Sequence, residues 1–110
     1  MDQEQLLRRF LSAYEDKKLE TIAEMLSNDV VLRDWNHQVE GKAGALLQFT
    51  KNFEGSEALA IQIRNIYSSK NAIAAEIEIA IGDTETLRVV DILGLNEGGQ
   101  IVSIISYKGL

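Results

Sequence analysis

Two aspartates stand out among the residues that could do chemistry: Asp34 in VVLRDWNH and Asp91 in LRVVDILGL. In the second stretch, two-residue alternation groups Asp91 with Leu87, Val89, Leu93 and Leu95 and leaves Arg88 on the opposite face. Burying an ionised carboxylate among aliphatic side chains costs several kcal/mol unless it finds a partner or takes up a proton. The same parity places Asp34 with Val30 and Leu32, opposite Arg33 and Trp35, so it too is able to point inward. Carboxyls in such surroundings are the groups that acid–base chemistry uses.

Each residue also has a plainer reading. Asp34 closes its strand as a turn former; Asp91 is salt-bridged, or a bulge rotates it into solvent. Trp35 is packing, and His37, the only histidine, is a solvent-facing or locally bonded loop residue. Phe10 and Tyr14 lie on a helical stripe whose default meaning is core, although a tyrosine hydroxyl that reaches a cavity needs a partner there.

The elements that must position these residues follow from periodicity. Asp2 and Gln5 have capping-box spacing, and Leu6, Leu7, Phe10, Leu11 and Tyr14 recur on one face of a first helix. Lys17-Lys18 interrupts the stripe. Leu19, Ile22, Ala23 and Leu26 then define a short second helix ending near Asn28-Asp29. Val30 to Trp35 reads as a strand, Asn36 to Gly41 as a turn, and a third helix buries Ala43, Leu46, Leu47, Thr50 and Phe53.

Beyond residue 58 the period becomes alternating, with Leu59, Ile61 and Ile63, then Ile73 to Ile81, Leu87 to Leu95 and Ile101 to Tyr107. Turns fall at Ser68 to Asn71, Gly82-Asp83 and Asn96 to Gly99. Helices first and long antiparallel strands afterward imply an α+β domain in which three N-terminal helices cover one side of a curved antiparallel sheet. Such a cone packs solidly at its floor and leaves an apolar pocket at its mouth. The last strand is apolar on both faces, since Val102 and Ile104 accompany Ile101 and Ile105. The uncovered face predicts a homodimer packed sheet to sheet.

The totals bound the function. The 110 residues are expected to form a single domain over 1–110, with 45% hydrophobic and 25% charged residues, the balance of a soluble globular protein. No apolar run suits a membrane span. A net charge of −6 opposes binding to nucleic acid or anionic lipid, which demand clustered lysine or arginine. The opening MDQEQ carries acids where a signal peptide carries basic residues, so the expected location is cytoplasmic. No cysteine and one histidine argue against disulfides, thiol chemistry and a zinc site.

The order of helix, helix, strand with an acid near its end, a G-x-x-G-x-x-x-x-F helix (Gly41 to Phe49) and strands ending in GGQIVSIISYKG resembles the nuclear-transport-factor-2-like superfamily, of cystatin-like fold. Within it, the likeness is to ketosteroid isomerases and SnoaL-like polyketide cyclases, over nearly the whole chain. In the isomerases an aspartate base lies between second and third helices, where Asp34 falls, and a protonated aspartate lies on a later strand, where Asp91 falls, five residues before Asn96. The resemblance also implies a tyrosine in the first helix, but the matching position holds Phe10, which has no hydroxyl. Tyr14, one turn on, or Tyr67 or Tyr107 from the sheet, would have to replace it.

The resemblance thus implies that Asp34 removes a proton beside a carbonyl while Asp91 hydrogen-bonds the developing enolate, with no cofactor and no metal. Phe10, Tyr14, Trp35, Phe53 and Val89 would line a pocket for a small hydrophobic molecule, with His37 at its rim. A cyclase would use the same pair for aldol closure. The alternative is a non-catalytic ligand-binding or association module. A hydrolase is disfavoured, because related epoxide hydrolases use an arginine with two acids, and Arg33 faces away from Asp34.

Overall fold

In the computed structural model, which describes residues 1–109, the Asp2 carboxylate accepts from the Gln5 backbone at 2.8 Å and Gln5 Oε1 accepts from the Asp2 backbone at 3.1 Å. This reciprocal cap opens α1 (Gln3–Glu15), whose Leu6, Leu7, Phe10 and Leu11 are buried as their spacing predicts. Helix α1 ends where Lys17 turns into the left-handed region, at φ 58°. The Lys17 ammonium then donates to the Phe53 and Ser56 carbonyls, tying this corner to the end of the third helix.

Helix α2 (Leu19–Met25) is shorter than expected. Leu26, read as its last apolar position, instead begins strand β1 (Leu26–Arg33) and pairs with Ile101. A long-range strand partner outweighs a marginal last helical turn. Strand β1 stops at Arg33, so Asp34 and Trp35 lie in the following turn, and part of the expected Asn36–Gly41 turn is a short strand, β2 (Gln38–Glu40).

Helix α3 (Lys42–Glu54) keeps its expected place but not its expected phase. Ala45 and Phe49 are its buried residues, whereas Ala43 and Leu47 are exposed. Helix and β2 approach closely at a glycine: a Cβ on Gly44 would stand 2.6 Å from Val39 Cγ1 and force that side chain to shift. Gly41, at φ +88°, makes the break between them.

Strands β3 (Leu59–Ser68), β4 (Ala72–Ile81), β5 (Glu85–Leu95) and β6 (Ile101–Lys108) form the expected meander. The sheet order is β2-β1-β6-β5-β4-β3. The sheet is mixed rather than wholly antiparallel, because β1 runs parallel to β6. The intervening helix and strands supply the long crossover that parallel pairing requires. One face packs Ile73, Ala75, Ile77, Val89, Leu93 and Ile104 against the helices. Each of the valine, leucine and isoleucine side chains contributes roughly 1.5–3 kcal/mol when fully buried. Ile101 and Ile104 share this face because the β5–β6 register shifts between Gly94 and Leu95. Among the described residues, no helix is long and apolar enough to cross a membrane.

Candidate active site

Asp91 lies in the middle of β5, paired with Ala75 of β4 on one side and Ser106 of β6 on the other. The residue is only 9% exposed, and no ion pair forms around it among the described residues. The Ser106 hydroxyl donates to Asp91 Oδ1 at 2.6 Å. Burial pushes the pKa of Asp91 up to about 6, and the Ser106 hydrogen bond pulls the other way. Alternation therefore orients this residue as the sequence indicates, and neither salt bridge nor bulge removes it from the apolar face.

Asp34 reaches the same face by a different route. Leu32 of β1 is registered with Ile104 of β6, so one pleat further along each strand stand Asp34 and Ser106. The parallel β1–β6 pairing thus brings together two acids far apart in sequence. Asp34 also closes the hairpin between β1 and β2. Its Oδ1 accepts from the backbone N–H of Asn36 at 2.8 Å and of His37 at 2.7 Å, and its own N–H donates to the His37 carbonyl at 3.0 Å. The turn-forming and pocket-facing readings are both satisfied. His37 is a bonded loop residue: its Nδ1 lies 3.1 Å from Asp34 Oδ1 and 3.3 Å from Oδ2.

Between these groups is a cavity of about 440 Å³. Phe10, Tyr14, Asp34, Trp35, His37, Val89 and Asp91 all line it, with Ile77, Ile79 and Leu87 along the sheet side. Phe53 does not border the cavity. It stands one layer back, its ring 4.9 Å from that of Tyr14 and roughly perpendicular to it, because the rotated α3 brings Phe49 forward instead. Trp35 is 43% exposed at the mouth, with the Lys108 ammonium 5.9 Å from its ring centre.

Tyr14 supplies a hydroxyl to the wall. Gln48 donates to Asn52 Oδ1 at 2.9 Å, and Asn52 Nδ2 donates to Tyr14 Oη at 3.3 Å. The phenol is an acceptor in that bond, so its own proton is free to serve another acceptor. Burial raises the Tyr14 pKa, the Asn52 bond opposes this, and the charges of Asp91 and then Asp34 add to the rise. Tyr67 and Tyr107, the other candidates to replace the missing donor, are exposed and do not border the cavity.

Sequence reasoning missed Ser106, Asn52 and Phe49. Ser106 follows Ile104 by one pleat and was detectable on that basis, but the last strand looked apolar on both faces. Asn52 and Phe49 were hidden by the helix phase.

Residues 7–104 match the model of the SnoaL-like domain. Comparison with curated proteins gives no match. Among solved structures, a provisionally designated ketosteroid isomerase from Kribbella flavida superposes with a TM-score of 0.83 at 18% identity, over 96% of this chain and 76% of that one. An epoxide hydrolase from M. tuberculosis gives 0.79 at 17% identity, over 96% and 80%. The epoxide hydrolase/cyclase-like enzyme SalBIII, described in pyran ring formation in salinomycin, gives 0.83 at 14% identity, over 97% and 90%. At these identities the likeness establishes the fold.

Proposed function

The chain belongs to the SnoaL-like domain family, and we propose that it is an isomerase- or cyclase-type enzyme that enolises a small cyclic ketone. The observation that carries this reading is the buried Asp91, its pKa raised to about 6, opening onto the same cavity as Asp34. The volume suits a ring system. The apolar walls would hold its skeleton, and the carbonyl would point to the floor.

At pH 7 a carboxyl of pKa about 6 is mostly ionised, so burial alone does not hold Asp91 neutral. An apolar ring entering the cavity displaces the remaining water and disfavours the charge further. Asp91 takes up its proton as the substrate binds, then donates a hydrogen bond to the enolate oxygen. Tyr14 is a second donor on the helix side, in place of the hydroxyl that Phe10 lacks. The Asp34 carboxylate removes the proton beside the carbonyl. Isomerisation returns that proton to another carbon, whereas cyclisation would direct the enolate onto a second carbonyl.

The test is hydrogen–deuterium exchange at the α-carbons of 2-tetralone, followed by NMR. The protein is expected to accelerate exchange, and Asp34→Asn to abolish the acceleration while leaving 2-tetralone affinity nearly unchanged. Phe10 favours one rival, a module that binds without chemistry; equal exchange with and without protein would establish it. Epoxide hydrolysis has less support, since Arg33 bonds Gln38 on the exposed side and no arginine borders the cavity.

A second copy of the chain is proposed to cover the outer sheet face, where Val31, Ala74, Val90, Ile92 and Ile105 are only half-buried among the described residues. Native mass spectrometry at micromolar concentration should show a dimer.

A further inference from the structure

We infer that His37 is the proton-accepting residue of this site, with Nε2 as the accepting atom and Asp34 as the residue that positions it. The inference rests on the enolisation reading and moves the base from the carboxylate to the imidazole beside it.

Three features of the turn lead to this assignment. First, Asp34 is already occupied: its Oδ1 accepts two backbone N–H groups, and the ring N–H of His37 bridges both carboxylate oxygens. A carboxylate so engaged would have to give up bonds that shape the hairpin in order to meet a substrate proton. Second, a carboxylate has only acceptors, so the His37 atom facing it must be an N–H donor. This fixes the neutral ring as the Nδ1–H tautomer and leaves a lone pair on Nε2. Nε2 has no hydrogen-bond partner among the described residues, and His37 borders the cavity. Third, the ring is held at its base as well. The His37 N–H and carbonyl both bond to Asp34, at 2.7 and 3.0 Å, so backbone and ring are fixed by one residue. A base held in one orientation avoids the entropic cost of finding it at each turnover.

The ionisable groups sharing the cavity are Tyr14, Asp34, Lys51, Glu85 and Asp91. Of these, Asp34 alone bonds the ring. In the forward step the substrate C–H bond breaks and its proton goes to Nε2. Its electron pair becomes the C=C bond, and the carbonyl π pair moves to the oxygen bonded by Asp91. The imidazolium formed is stabilised by the ionised Asp34, which itself gains no proton. In the return step Nε2 delivers the proton to carbon, and the ring is neutral again.

Because His37 is the only histidine, long-range proton–nitrogen NMR of the intact protein reports its tautomer without ambiguity. The neutral ring is expected as Nδ1–H, and Asp34→Asn should move it toward Nε2–H. Finding Nε2–H in the unaltered protein overturns the inference. In the 2-tetralone assay, His37→Gln is expected to lose about 10²–10⁴-fold in exchange rate, and His37→Ala to recover activity when free imidazole is added. Undiminished exchange in His37→Gln would leave Asp34 as the base, overturning the inference while the enolisation reading stands. No exchange by the unaltered protein would overturn both.

Discussion

The floor and the mouth of the cavity each carry an aspartate, and the two are opposite in nearly every physical respect. Asp91 sits in a central strand, its backbone locked between two neighbours, with Ser106 as its one side-chain partner among the described residues. Asp34 lies just past the end of β1 and is held by the N–H groups of its own turn. Burial makes the floor acid reluctant to ionise, whereas the mouth acid is a structural anion that shapes a loop and orients a ring. One residue type thus serves two roles, set by the water and donors that each position allows.

The most drastic way to break this contrast is to remove the floor carboxyl. Asp91→Ala should lower 2-tetralone exchange about 10²–10³-fold, the usual loss for one oxyanion donor. It should leave the His37 tautomer unchanged, and NMR reads both effects.

Stability should separate the two acids next. In the unfolded chain Asp91 titrates near 3.8 and in the fold near 6, so between these values the folded state binds more protons. Stability from this group therefore falls as pH rises from about 4 to 6, and the full penalty persists above that range. Asp91→Asn should then stabilise the fold by on the order of 2 kcal/mol at pH 7.5 and by almost nothing at pH 3.5, measured by urea unfolding. Asp34→Ala should instead destabilise at neutral pH by about 1 kcal/mol through loss of the turn.

Removing the Ser106 hydroxyl sharpens the difference further. Without the bond that opposes burial, the Asp91 midpoint in Ser106→Ala should move upward from about 6, seen in its carboxyl carbon-13 shift. The smallest effect is expected at the wall: Tyr14→Phe, which loses a 3.3 Å bond from Asn52, should cost about 0.5–1 kcal/mol in urea unfolding.

Much of the fold was legible because it is local. The Asp2–Gln5 cap, the α1 stripe and the alternation through β4 and β5 depend on near neighbours in sequence, and they appear as read. The errors fall where distant partners decide. Leu26 left the helix for a strand pairing with Ile101, and α3 turned Ala45 and Phe49 inward, with Gly44 close against Val39. The placement of the two acids on the cavity side was legible by parity: Asp91 must face inward once β5 is a strand, and Asp34 follows from Leu32.

By itself, then, the sequence determined which residues alternate, which helix is capped, and that a carboxyl at position 91 would be driven into apolar surroundings. Only the tertiary structure decided that β1 runs parallel to β6, which brings Asp34 and His37 to the cavity that Asp91 enters. It alone set Ser106 beside Asp91, Phe49 ahead of Phe53, and left the space between unfilled. The reason is physical. Periodicity records which face of an element avoids water, but pairing, register and empty volume are settled when separate elements compete for the same contacts.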